Sequence, residues 1–282
     1  MRRMTSGSRS KQEAARKARL EREAAERAAQ ERKKRLGIVG GVIALVVVLA
    51  AIVVIADPFK GSASDDASDV AGIKGVNEVA ALTKGIPQDG LILGDPNAPV
   101  TIVEFIDMKC PHCAEFSIAI HPTLVDKLVR TGKANLEMRL VNVMDGQAGT
   151  VDGDRARTAV NNQTASDNAW NLADTIFYNQ GGGGDEWATE NRLKEIAAQV
   201  PGVGDELNVR ETAASRALRD EADKLAGDVG VTGTPSIFVR PRGTKQYTSV
   251  PDFTSADAII AAVEAAAPKA EPVDAETPAV DK

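Results

Sequence analysis

Val103-Glu104-Phe105-Ile106-Asp107-Met108-Lys109-Cys110-Pro111-His112-Cys113 is the stretch from which the rest of this 282-residue chain is read. It ends the run Val100–Asp107, whose β-branched and aromatic content suits a buried strand. It is followed by AEFSIAIHPTLVDKLVR (residues 114–130), whose apolar residues suit a helix that Pro122 bends. Cys110 therefore falls where a strand gives way to a helix. A sulfur there meets unpaired N–H groups and the positive end of the helix dipole, and both lower a thiol pKa. Pro111 suits the first turn, where its missing N–H has no helical partner. His112 can add a donor or a positive charge near the sulfur. Cys110 is expected to be exposed and thiolate-prone, with Cys113 one turn deeper and more buried.

Working outward, Asn135–Val143 is a second strand, reached by a crossover helix, so the two form a βαβ unit. From Asp152 to about Asp228 the chain is helical, with apolar faces supplied by Trp170, Leu172, Ile176, Phe177, Leu193 and Ile196. Val231–Arg240 returns as a strand, Lys245–Val250 as another, and Ser255–Ala267 as a closing helix. Upstream, Pro87–Gly90 and Gly94–Pro99 read as turns around the short apolar piece Leu91–Leu93. The folded part is expected over residues 77–267, with a helical insertion at about 152–228. A Gly/Ser/Asp-rich linker (57–76) precedes it, and a Pro/Ala/acid-rich tail (268–282) follows, too polar for a core.

The N-terminal fifth is set apart by charge. Residues 1–36 hold 13 Lys/Arg against 5 Glu, residues 37–56 hold no charge, and residues 57–282 hold 21 basic and 35 acidic side chains. The uncharged block Gly37–Ala56 has the length of a membrane-spanning helix, about 30 Å at 1.5 Å per residue. With Lys33, Lys34 and Arg35 before it and Asp57 after it, the positive-inside rule puts residues 1–36 in the cytoplasm and everything beyond Asp57 outside. It is expected to be an uncleaved signal-anchor, with the lipid bilayer as its partner. The basic arm is a topology signal before it is a nucleic-acid site, and no nucleic-acid partner is expected.

The chain has two cysteines. A bridge across Cys-x-x-Cys closes too small a loop to stabilise a fold through chain entropy, so the pair points to redox chemistry outside the cytoplasm. A low thiol pKa makes Cys110 a good leaving group and its disulfide oxidising. A zinc site needs three or four protein ligands. His112, lying between the cysteines, is poorly placed to join them around one ion. His121 reads as a packing or capping residue. No metal is expected, and no glycine motif for a cofactor's phosphates is found.

Together VEFIDMKCPHC, the helical block and VTGTPSIFV resemble the DsbA-like branch of the thioredoxin superfamily over roughly Gly85 to Ala267. The resemblance implies an α/β thioredoxin-like fold with an inserted helical domain, here preceded by a transmembrane helix. It implies a protein disulfide oxidoreductase acting on unfolded exported proteins with free thiols, reoxidised by a membrane partner of the DsbB or vitamin K epoxide reductase type. It places a cis peptide bond at Thr234–Pro235 opposite the cysteines, with Thr234 offering backbone to an extended substrate segment. It further implies that Glu104 is a buried acid relaying a proton to or from Cys113. An isomerase or reductase of the same fold, or a non-catalytic peptide-binding module, is the alternative.

Overall fold

Residues 100–106 are buried along their whole length because both faces of the strand they form are covered. In the computed structural model, which describes residues 72–204 and 207–268, the chain runs α1 (Val76–Thr83), β1 (Gln88–Asp89), β2 (Ile92–Leu93) and β3 (Val100–Ile106). Next come α2 (Pro111–Ala119), α3 (His121–Leu124), a π-helical turn (Val125–Val129) and β4 (Ala134–Leu140). The insertion holds α4 (Met144–Ala148), α5 (Asp152–Asn161), α6 (Ala169–Tyr178), α7 (Glu190–Gln199) and α8 (Ala213–Val229). Finally β5 (Ser236–Pro241), β6 (Thr248–Val250) and α9 (Ala256–Ala266) close the fold.

The six strands form one sheet in the order β1-β2-β4-β3-β5-β6. β3 pairs parallel with β4, as the crossover requires, and antiparallel with β5. Side chains alternate across β3. Val103 and Phe105 join Phe238, with Leu225 and Val229 of α8 packed against them, and the two phenyl rings meet edge to face at 5.7 Å. Ile102 and Ile106 belong to the larger core with Leu124, Leu128 and Ile259. Glu104 shares their face, and its carboxylate enters the core among them.

The helix after the cysteines breaks where Pro122 withholds a donor: α2 ends at Ile120 (φ −104°). The next segment relaxes into the π turn, closed by Arg130 N–H to the Val125 carbonyl at 2.9 Å. The insertion is joined to the sheet by Trp170, fully buried, whose Nε1–H donates to the Leu91 carbonyl at 3.0 Å. Helix α8 starts with a capping box between Thr212 and Ser215.

Several boundaries differ from the sequence reading. Ile73 and Val76, which the sequence reading gave to the linker, are core residues. β4 stops at Leu140, because Val143 and Met144 turn to donate their N–H groups to Asp107. β5 begins at Ser236; the residues before it form the turn around the Thr234–Pro235 bond, which is cis. The second returning strand is confined to Thr248–Val250. Among the described residues no helix is long and apolar enough to cross a membrane. The basic arm, the Gly37–Ala56 block and residues 269–282 lie outside the described residues.

Trp170 gives a test of whether insertion and sheet fold as one unit. Trp170→Ala should cost about 3–5 kcal/mol in urea unfolding, as for a large buried aromatic. Trp170→Phe, which removes the indole hydrogen bond and part of the ring volume, should cost less, about 1–2 kcal/mol. A separate early transition in Trp170→Ala would show that the two parts unfold independently.

Candidate active site

The turn between β3 and α2 is built by Asp107. One carboxylate oxygen accepts the Lys109 N–H at 2.8 Å, and the other accepts the N–H groups of Val143 and Met144 at 2.6 and 2.8 Å. The end of β3 is thereby tied to the start of the insertion. Cys110 then caps α2 with extended backbone (φ −75°, ψ 119°), and Pro111 occupies the first helical position. The Cys110 carbonyl accepts from Cys113 and Ala114 N–H at 3.0 and 3.2 Å, which starts the helix.

Across this turn lies the cis Thr234–Pro235 bond. Cys110 Sγ–H donates to the Thr234 carbonyl at 3.2 Å. Both cysteines are free thiols. The sequence reading placed Cys110 at the surface, yet it is only 4% exposed. The correction has a simple cause: the turn at Thr234–Pro235 covers the sulfur. Cys113 is fully buried, with its sulfur accepting the Asp107 N–H at 3.4 Å.

Two sulfurs one helical turn apart are driven in opposite directions. The Cys110 thiol is lowered from 9.0 to about 6. The hydrogen bond from Cys113 is the largest cause; burial opposes it, and the Thr234 side chain and the backbone N–H groups of Cys113 and His112 add to it. The Cys113 thiol is pushed well above its usual value, first by burial and then by the neighbouring Cys110. The two thiols therefore share one proton at neutral pH, and it resides on Cys113. Ionisation of Cys110 gives up its bond to the Thr234 carbonyl and leaves that oxygen free for another donor.

His112 and Glu104 are placed differently from the sequence reading. The His112 ring is exposed and turned to Glu115, 3.0 Å away, which raises its pKa. Its backbone N–H helps lower the Cys110 thiol, and the ring and the Cys110 thiolate also attract each other as charges, as the sequence reading allowed. Glu104 is buried as expected, but its carboxylate meets His121 Nε2 at 2.9 Å, and among the described residues no hydrogen bond joins it to Cys113. His121 is not a simple packing residue. It lies between Glu104 and Asp174, whose carboxylate stands 3.5 Å from Nδ1 and also accepts the Ser117 hydroxyl at 2.6 Å. Burial works against the imidazolium, yet Glu104 and Asp174 outweigh it and raise His121 to about 10. Beside the thiols, a cleft of about 310 Å³ is lined by His112, Thr234, Pro235, Ser249 and Phe253.

Sequence reasoning passed over Asp107, Lys109, Asp174 and Gln180, which hold this site together. A charged pair three residues and one residue before the first cysteine, in Asp107-Met108-Lys109, was the available signal for two of them. Among the described residues no group of three or more His, Cys, Asp or Glu side chains is arranged so that it could hold a metal ion.

A paired, unequal Cys-x-x-Cys at the start of a helix, facing a cis-proline turn on a thioredoxin-like sheet with a helical insertion, defines a thiol–disulfide oxidoreductase with the DsbA-like fold. A family profile described as thioredoxin matches residues 87–260, and the chain belongs to that family. It is 30% identical to disulfide bond formation protein D of Bacillus subtilis over 160 residues, covering 55% of this chain and 70% of that protein. It is 28% identical to the probable disulfide bond formation protein D of Bacillus cereus over 170 residues, covering 58% and 73%. The crystal structure of oxidised BdbD from Bacillus subtilis superposes with a TM-score of 0.52 at 21% identity, over 64% of this chain and 96% of that one. The chain is a protein disulfide oxidoreductase.

The His121 cluster predicts a pH signature. Its folded pKa, about 10, lies above the ordinary 6.5. The stability it contributes is therefore fully present below 6.5 and is lost as pH rises through 10. The stability difference between the unaltered protein and His121→Gln should shrink across that window in urea titrations. A difference that grows with pH would mean that the imidazole is neutral when folded.

Proposed function

We propose that this chain is an extracytoplasmic dithiol oxidase that introduces disulfide bonds into exported proteins through Cys110 and Cys113. The observation that carries this reading is the lowered pKa of Cys110, about 6, beside a Cys113 that holds its proton. A thiolate stable at neutral pH favours the reduced pair, so the disulfide form gives up its bond readily. In the forward direction a substrate thiolate attacks Cys110 Sγ and breaks the Cys110–Cys113 bond. Cys113 leaves with the electron pair and takes up a proton. A second substrate thiolate then attacks the substrate sulfur of the mixed disulfide and expels Cys110 as a thiolate. The substrate leaves oxidised by two electrons, and the enzyme pair is reduced by two.

The 310 Å³ cleft beside the cis-proline turn supports docking of the substrate as an extended segment. With Cys110 in its disulfide no S–H occupies the Thr234 carbonyl, which is free to accept a substrate N–H, as in strand addition. The names of the Bacillus relatives, both disulfide bond formation proteins, favour oxidation over isomerisation. Reduced enzyme must return its two electrons to a membrane reoxidase of the DsbB or vitamin K epoxide reductase type. A membrane-spanning Gly37–Ala56, with the basic arm inside, would hold the catalytic body beyond the bilayer and near such a partner.

Three measurements test the reading. The reduction potential of the pair should lie above the glutathione poise of about −240 mV; a value well below it would make the chain a reductase. Cys110→Ala should abolish oxidation of a dithiol peptide, whereas retained activity would remove Cys110 from the chemistry. Cys113→Ala, expressed in cells, should accumulate mixed disulfides with exported proteins and a membrane protein. Recovery of cytoplasmic proteins alone would overturn the topology.

A further inference from the structure

Lys109, the residue immediately before the reactive cysteine, is fully buried. Its ammonium donates to Asp152 at 2.5 Å and to the Thr150 hydroxyl at 2.7 Å, with Asp145 at 3.6 Å. Asp152 uses its other oxygen to accept the N–H groups of Trp187 and Ala188, both at 2.8 Å. The same loop of the insertion reaches the turn at two further points. Gln180 Nε2 donates to the carbonyls of Met108 and Cys110 at 2.9 and 3.2 Å. Gly183 packs so closely that a side chain there would lie 3.2 Å from both the Lys109 carbonyl and Pro111 Cδ.

Burying an ammonium and two carboxylates is costly, and a well-packed apolar side chain at position 109 would usually do as well for stability. The arrangement does something an apolar contact cannot. It ties one charged atom on the active-site turn to a carboxylate that also orders loop 180–188, so turn and insertion cannot move separately without exposing an unpaired buried charge. Asp107 and Gln180 hold the backbone of the same turn from either side.

We propose that Lys109 is a positioning residue: through Asp152 and Asp145 it locks the Asp107–Cys110 turn to loop 180–188 of the insertion and so fixes Cys110 Sγ against Thr234 and the first N–H groups of α2. This rests on the reading of Cys110 as the attacked sulfur. The leaving ability of Cys110, and with it the rate of exchange, then depends on the insertion as well as on the helix that carries the thiol.

Lys109→Met and Asp152→Asn change the buried charge in opposite senses, which separates geometry from field. The readouts are the pH profile of iodoacetamide alkylation, assigned to Cys110 by mass spectrometry, and the rate of dithiol oxidation. If Lys109 positions the turn, both variants shift the alkylation midpoint upward by about one pH unit, a tenfold change in the thiolate ratio, and both slow oxidation. Opposite shifts would reduce Lys109 to a local field and overturn the proposal. So would a lowered melting temperature with an unchanged midpoint, which marks a purely structural role. Gln180→Met alters no charge and serves if either charge variant fails to fold; it should shift the midpoint in the same direction, and an unmoved midpoint counts against the clamp. Should the unaltered protein show no acidic thiol at Cys110, the functional reading falls and this one with it.

Discussion

Cys110 depends on a sparse set of donors that can hold negative charge on a sulfur sealed from bulk water. Burial alone would raise its pKa, as it does for Cys113 one turn further on. What reverses the sign is geometry: an extended backbone at residue 110, the first free N–H groups of α2, and a neighbouring thiol that donates. Each of these exists only while the turn between β3 and α2 keeps its shape. Asp107, whose carboxylate binds three backbone N–H groups across that turn, therefore matters to the chemistry without touching the reacting atoms.

Two clusters of buried charge stand around this turn, and they do different physical work. In one, His121 stands between Glu104 and Asp174 and links β3 to α3 and α6. In the other, Lys109 stands between Asp145 and Asp152 and links the turn to α4, α5 and loop 180–188. Both place one basic side chain between two carboxyl groups. The clusters tie helical insertion to sheet at positions where an apolar contact could slip.

The sequence made the strand and the cysteine pair legible because each leaves a local mark, and the resemblance carried by VTGTPSIFV implied the cis-proline turn. β3 is a run of β-branched and aromatic residues, Pro111 can sit only at a helix start, and Gly233-Thr234-Pro235 stands before Ser-Ile-Phe-Val. The partners of Glu104 and Lys109 were not legible, for a shared reason. A central strand is buried on both faces, so alternation cannot say which side chain needs a counter-charge. Lysine is read by default as a surface residue, and only the third dimension brings Asp152, 43 residues later, to its ammonium. The exposure of Cys110 was misjudged on similar grounds: the segment that covers it, Thr234–Pro235, lies 124 residues away.

The covering of Cys110 bears on how a substrate reaches it. In the reduced pair the Cys110 sulfur is 4% exposed and its S–H is bonded to the Thr234 carbonyl. The disulfide that a substrate thiolate attacks carries no S–H, so this bond is absent from the form that reacts. The turn over the oxidised site therefore lacks one contact that it has over the protonated, reduced one. The same carbonyl is the acceptor that an extended peptide would need to align its own sulfur. Docking on the oxidised site is on this view the step in which a substrate N–H takes the Thr234 oxygen that the Cys110 S–H holds in the reduced enzyme.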